Sequence, residues 1–180
     1  MALDLANIKS ITTKSGVTIK KVQRKSDGKV LWKASEPFYW IKDGVVQSGY
    51  HSTYTNYSIS PDPSDNEGCS YDNSLTAFTI GSASEETGFQ FVGSTASVET
   101  KGNKYMEVTL GANVSSYGSS SGNINSFKIA GIECNTLVKP NAVMTVDVSN
   151  FTTANISLDI ECWAWGNYMY LPIKSIAFYG

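Results

Sequence analysis

The stretch SLDIECWAWGNYMYLPIKS places Trp163, Trp165, Tyr168 and Tyr170 at two-residue spacing on either side of Gly166-Asn167. Flat rings of this kind can stack on the apolar faces of sugars. They can equally bury against a protein partner with little loss of rotamer freedom while keeping a polar edge. Gly166-Asn167 suits the loop of a two-residue hairpin. In that register Trp165 faces Tyr168, Trp163 faces Tyr170, Glu161 faces Pro172 and Asp159 faces Lys174, the last an opposite-charge pair that favours it. Side chains alternate along a strand. The four aromatics therefore share an outward face with Asp159, Glu161 and Lys174, while Leu158, Ile160, Cys162, Ala164, Met169, Leu171 and Ile173 point to the core. An outward cluster of four large rings exceeds what a monomer ordinarily shows to water. Three placements are open: under the chain's own loops or its basic hairpin, against another subunit, or as a stacking platform for sugar rings.

Other reactive residues are sparse. His51, the sole histidine, sits in the polar run GYHSTYTNY. A hydrolytic triad would need it as base, and no nucleophile motif such as G-x-S-x-G accompanies it. Phosphate-loop and dinucleotide signatures are absent. No facing carboxylate pair of the kind glycoside hydrolysis requires is suggested. The run SPDPSDNEGCSYD gathers Asp62, Asp65, Asn66, Glu67 and Asp72. Such oxygens suit calcium, but the spacing is not that of an EF-hand loop, and acidic residues in turns serve local bonding. No metal is expected; Asp62, Asp65 and Glu67 are the candidates should one bind. Cys69, Cys134 and Cys162 are odd in number and widely spaced, forming neither a metal-ligand pattern nor a disulfide framework. The reading is of a non-enzymatic chain without a cofactor.

Charge is segregated. Residues 1–42 hold nine Lys and Arg against three Asp and Glu, a net of +6, and residues 43–180 hold five against thirteen, a net of −8. Lysines on strand edges block unwanted pairing, which is one account of the basic end. The other is docking of this end on the acidic surface of a neighbour, another copy included, with Lys20, Lys21, Arg24, Lys25 and Lys29 as the docking residues. Nucleic acid is not the expected partner, since no recognition motif accompanies these cations. MALDLANIKS lacks the charged start and apolar run of a signal peptide, and no window approaches the length of a membrane span. The expectation is a protein made in a reducing cytoplasm that does not engage membranes.

The segment GVTIKKVQRKSDGKVLWKAS, residues 16–35, carries a resemblance. Gly16, Val17, Ile19, Lys20, Lys21 and Val22, followed by Asp27, Gly28, Lys29, Val30, Leu31 and Trp32, resemble the opening of structural proteins of tailed phages and prophages of gut Firmicutes. Those proteins often open with a short I-x-x-I strand, then a G-V-x-I-K-K-V strand, then a (D/N)-G-K-V-(L/V)-W return strand. The segment spans residues 16–35, about a ninth of the 180-residue chain. It implies a virion component of tail, baseplate, fibre or capsid surface. Such a component is assembled with other copies of itself and with other virion proteins, and a cell-surface glycan is a further partner.

The elements that must position these residues read as strands. Ser26-Asp27-Gly28 is a turn signal between two strands, giving a basic N-terminal ribbon over residues 1–35 anchored by Trp32. Glu36-Pro37 breaks the pattern. From Phe38 onward, short alternating runs recur: FYWIKDGVVQSGY with a turn at Lys42-Asp43-Gly44, then SLTAFTIG, TGFQFVGS, KYMEVTL, INSFKIAG, AVMTVDVS, ANISLDIECWAW and YMYLPIKSIAFYG. Gly, Asn and Ser clusters bound them, and no segment keeps a helical period. The fold class expected is all-β: an antiparallel β-sandwich over residues 36–180, with the jelly roll as one form of it. The leading functional expectation is a virion structural protein. The alternative is a carbohydrate-binding module using Trp163, Trp165, Tyr168 and Tyr170.

Overall fold

The computed structural model describes residues 11–12, 18–19, 21–23, 30–33, 36–60, 69–82, 88–114, 122–162 and 168–180. The basic segment contributes four short strands: β1 (Ile11–Thr12), β2 (Thr18–Ile19), β3 (Lys21–Gln23) and β4 (Val30–Lys33). β1 pairs with β2, and β3 pairs with β4 in the register Lys21↔Lys33, Val22↔Trp32 and Gln23↔Val30.

The body begins with β5 (Phe38–Lys42) and β6 (Val45–Val46), followed by β7 (Tyr54–Ser60), β8 (Cys69–Asp72), β9 (Thr79–Ser82), β10 (Phe89–Thr95) and β11 (Val98–Glu99). Next come β12 (Tyr105–Leu110), β13 (Gly122–Ile129) and β14 (Ile132–Glu133), then a 3-10 turn at Asn135–Leu137. The chain closes with β15 (Val143–Asp147), β16 (Thr153–Ala154), β17 (Ile156–Cys162), β18 (Tyr168–Tyr170) and β19 (Ile173–Tyr179). The turn expected at Lys42-Asp43-Gly44 joins β5 to β6. Asp43 and Gly44 both take positive φ, 51° and 78°, the conformation a two-residue type I′ loop needs.

Two five-stranded antiparallel sheets carry the fold. One runs β14-β13-β17-β10-β7 and the other β15-β12-β19-β5-β6. A three-stranded sheet, β18-β9-β8, adjoins them, and β11 pairs with β16. The alternation read from sequence has its physical cause in the pleat: along β17, Ile156, Leu158, Ile160 and Cys162 are buried while the residues between them are not. The same pattern buries Phe89, Phe91, Gly93 and Thr95 on β10, and Met106, Val108 and Leu110 on β12. These inner faces meet in one hydrophobic cluster with Trp40, Phe127, Ile176 and Phe178. The fold is therefore the expected antiparallel β-sandwich. The chain crosses from one sheet to the other on leaving β6, β10, β12, β14, β15 and β17, a habit shared by Greek-key sandwiches generally. Among the described residues no helix is long and apolar enough to cross a membrane.

The hairpin register expected around Gly166-Asn167 is corrected. β17 lies between β10 and β13, so Asp159 stands opposite Val92 and Ser126, and Glu161 opposite Gln90 and Asn123. β18 instead pairs with β9, and Lys174 belongs to β19 in the opposite sheet. The Asp159–Lys174 and Glu161–Pro172 pairings do not form. Asp159 has other partners: its carboxylate accepts hydrogen bonds from the Gln90 side-chain amide at 2.9 Å and from that of Asn125 at 3.2 Å. Inter-sheet burial prevails over the local turn because it turns Ile156, Leu158, Ile160 and Cys162 of β17 into the core between the sheets. The core face itself is as expected: Leu158, Ile160, Cys162, Met169, Leu171 and Ile173 are all buried.

Candidate functional site: the tyrosine face of the small sheet

Pairing of β18 with β9 and of β9 with β8 sets which side chains share a face. Tyr168 stands opposite Gly81, and Gly81 opposite Ser70. Tyr170 stands opposite Thr79, and Thr79 opposite Asp72. Ser70, Asp72, Thr79 and Gly81 thus lie in the same two rows as the tyrosines. Met169 and Ile80, one position out of phase, are buried in the core. The two rings lie side by side with centroids 6.2 Å apart and planes inclined by 38°. Tyr170 is exposed and Tyr168 half-buried. One Asp72 carboxylate oxygen accepts from the Ser74 amide at 2.7 Å, which holds the carboxylate at the rim of this face. The Thr79 hydroxyl donates to the Ala77 carbonyl at 2.9 Å, leaving its oxygen able to accept. Adjacent aromatic faces bordered by a carboxylate and hydroxyls are suited to a polyhydroxylated ring: apolar C–H faces against π faces, hydroxyls to the rim.

Of the four aromatics singled out in the sequence, Tyr168 and Tyr170 come together here, while Trp163 and Trp165 lie outside the described residues. The contribution of Ser70, Asp72, Thr79 and Gly81 has no local sequence signal, because it depends on strands separated by almost ninety positions.

The other sequence candidates distribute differently. Lys21 lies on β3 opposite Lys33, whereas Lys20, Arg24, Lys25 and Lys29 lie outside the described residues, as do Asp62, Asp65 and Glu67. Among the described residues no group of three His, Cys, Asp or Glu side chains is placed to hold a metal ion. His51 is exposed, and its carbonyl accepts from the Trp40 indole N–H at 2.7 Å; its part is to satisfy a buried indole through its backbone. Cys134 and Cys162 are buried thiols, and burial pushes both above the ordinary thiol range. That makes them poor nucleophiles.

A concavity of about 540 Å³ opens between Glu99–Gly102 and Ser149–Thr153. Thr100 braces it: its hydroxyl donates to the Phe151 carbonyl at 2.8 Å and its amide to Thr152 at 3.0 Å. Lys101 lines this space, and its ammonium lies 4.8 Å from the Phe38 ring centroid. Comparison of the chain with protein-family models, with curated proteins and with solved structures gives no match.

Proposed function

We propose that this chain is a non-enzymatic structural subunit of a tailed-phage or prophage particle, working through protein–protein assembly and residing in the virion. The observation that carries the reading is the basic N-terminal segment. The two halves that resemble the opening of phage structural proteins pair with each other, Val22 against Trp32. They lie within residues 1–42, whose net charge of +6 precedes a body with a net of −8. An isolated two-stranded ribbon is marginal in water, so such a segment gains stability by packing on an acidic surface, where opposite charge also speeds encounter. Fold alone assigns no function; the warrant is the segment and its charge. The test is co-sedimentation. In a lysate of the bacterium that encodes the chain, induced for prophage, the chain should travel with particles through a density gradient. Its recovery wholly in the soluble fraction would sink the proposal.

The tyrosine face favours a second reading, recognition of a cell-surface glycan, which a particle-tip protein could combine with assembly. Titration of the full chain with cell-wall polysaccharide tests it. Binding lost in Tyr168→Ala and Tyr170→Ala supports it, and equal binding by wild type and variants refutes it.

A further inference from the structure

The sheet edges of this sandwich are treated unequally. Exposed strand edges present unpaired N–H and C=O groups, and proteins ordinarily shorten them, charge them or interrupt them. β14 and β6, at one end of each large sheet, are two residues long. β15 ends in Asp147, whose carboxylate accepts from the Ser149 amide at 2.9 Å. β7 is neither short nor charged, and it is interrupted only near its start, where the register with β10 shifts and leaves Thr55 without a partner on β10. It is seven residues long, Tyr-Thr-Asn-Tyr-Ser-Ile-Ser, without a charge or a proline. Among the described residues, neighbouring chain bonds to the main chain of its first residue alone: the Tyr54 amide donates to the Asn73 carbonyl at 3.0 Å, and the Asn73 side-chain amide donates back to the Tyr54 carbonyl. From Thr55 to Ser60 no described residue bonds to the main-chain groups on the side away from β10, and Thr55, Asn56, Tyr57, Ser58 and Ser60 are all exposed.

Beside this edge sits an exposed pair of rings. Tyr57 on β7 and Tyr71 on β8 are each 41% exposed. Their centroids are 5.9 Å apart and their hydroxyls 3.2 Å apart, and Tyr57 stacks on buried Phe91 at 5.4 Å. Tyrosine so placed is the residue type that interfaces favour.

We propose that β7 is a self-association edge: two copies of this chain pair antiparallel through Thr55–Ser60, joining their five-stranded sheets across a two-fold axis, with Tyr57 and Tyr71 of each copy flanking the join. The occupant is a second copy for two reasons. The edge offers main-chain groups, which an extended strand satisfies. A charge-free strand can also meet itself without like charges coming opposite one another, the condition a self-complementary two-fold contact requires. The proposal deepens the assembly reading by naming a surface, and salt separates the two: docking of the basic ribbon weakens in high salt, whereas main-chain pairing does not.

The test is the light-scattering mass of the full chain in high salt, for wild type and for Asn56→Lys and Ser58→Lys, with near-ultraviolet circular dichroism to confirm that the variants keep their fold. Wild type should be a dimer and both variants monomers. Amide hydrogen exchange of wild type provides a readout that needs no variant: exchange within Thr55–Ser60 should slow at least several-fold on going from dilute to concentrated protein. A wild-type monomer in high salt, a dimer indifferent to both lysines, or exchange at β7 independent of concentration would each overturn the proposal.

Discussion

Tyr54 offers a decisive energetic test of the core. Its ring is fully buried and packs edge-on against Phe78 at 5.5 Å and Phe91 at 5.7 Å, and Phe78 and Phe91 meet each other at 4.8 Å. Its hydroxyl oxygen is buried and finds no hydrogen-bond partner among the described residues. A buried hydroxyl left unpaired forfeits its hydration, at a cost of about 1–3 kcal/mol. Tyr54→Phe keeps the ring and its edge contacts and deletes only the unpaired group. It should therefore stabilise the chain by about 1 kcal/mol, raising Tm by roughly 2–4 °C in a chain of this size. Urea unfolding followed by tryptophan fluorescence measures the change. A pH series adds a second arm. Burial raises this phenol above its usual value of 10.0, so the folded state keeps a proton that the unfolded state releases. The linked stability is fully present below pH 10, the unfolded value, and is lost as pH rises through it toward the raised folded value. Tyr54→Phe should lack that loss, and its stability advantage over wild type should widen in alkali. If the variant is instead less stable by about 1 kcal/mol, the hydroxyl is satisfied and the account of this part of the core is wrong.

Other outcomes follow from single positions. Gly122→Ala would place a β-carbon 2.6 Å from the Glu161 carbonyl oxygen and 2.5 Å from the Met169 sulfur; it should destabilise by about 1–3 kcal/mol, read as a lower urea midpoint, and an unchanged midpoint would contradict the tight packing of β13 on β17. Cys134 and Cys162 should resist maleimide in the native state and react quickly once unfolded, because burial keeps both thiols protonated; rapid native labelling at either position, located by peptide mass, would refute their burial. Tyr170→Ala removes an exposed ring and should change stability by no more than roughly 0.5 kcal/mol while lowering glycan affinity at least several-fold; a large loss of stability would place Tyr170 in the core rather than on a binding face. Replacing Lys20, Lys21, Arg24, Lys25 and Lys29 together by Glu should abolish salt-dependent assembly, measured by sedimentation, and retention of that assembly would remove the ribbon from the account.

The fold was legible where periodicity is local. Alternation along ANISLDIEC and KYMEVTL marks strands and their core faces correctly, because the pleat itself dictates it, and Asp43-Gly44 marks its turn through the positive φ it must adopt. Pairing partners were not legible in the same way. Gly166-Asn167 suggested that β17 folds back on β18, yet β17 inserts between β10 and β13, and Asp159 finds the amides of Gln90 and Asn125 instead of Lys174. Local turn chemistry competes there with burial on both flanks of a central strand, and burial contributes more free energy. The tyrosine face shows the same division. The aromatic half, Tyr168 and Tyr170, could be read from spacing; the polar half, Ser70, Asp72 and Thr79, exists only through pairing across the small sheet. The open edge at β7 is a fact of sheet order, which no stretch of sequence encodes by itself.

The central claim is that this chain works by assembling, and the light-scattering mass of the full protein in low and in high salt tests it most directly. The account predicts an oligomer larger than a dimer in low salt, which falls to a dimer as salt screens the basic ribbon. A monomer at both salt concentrations would contradict it.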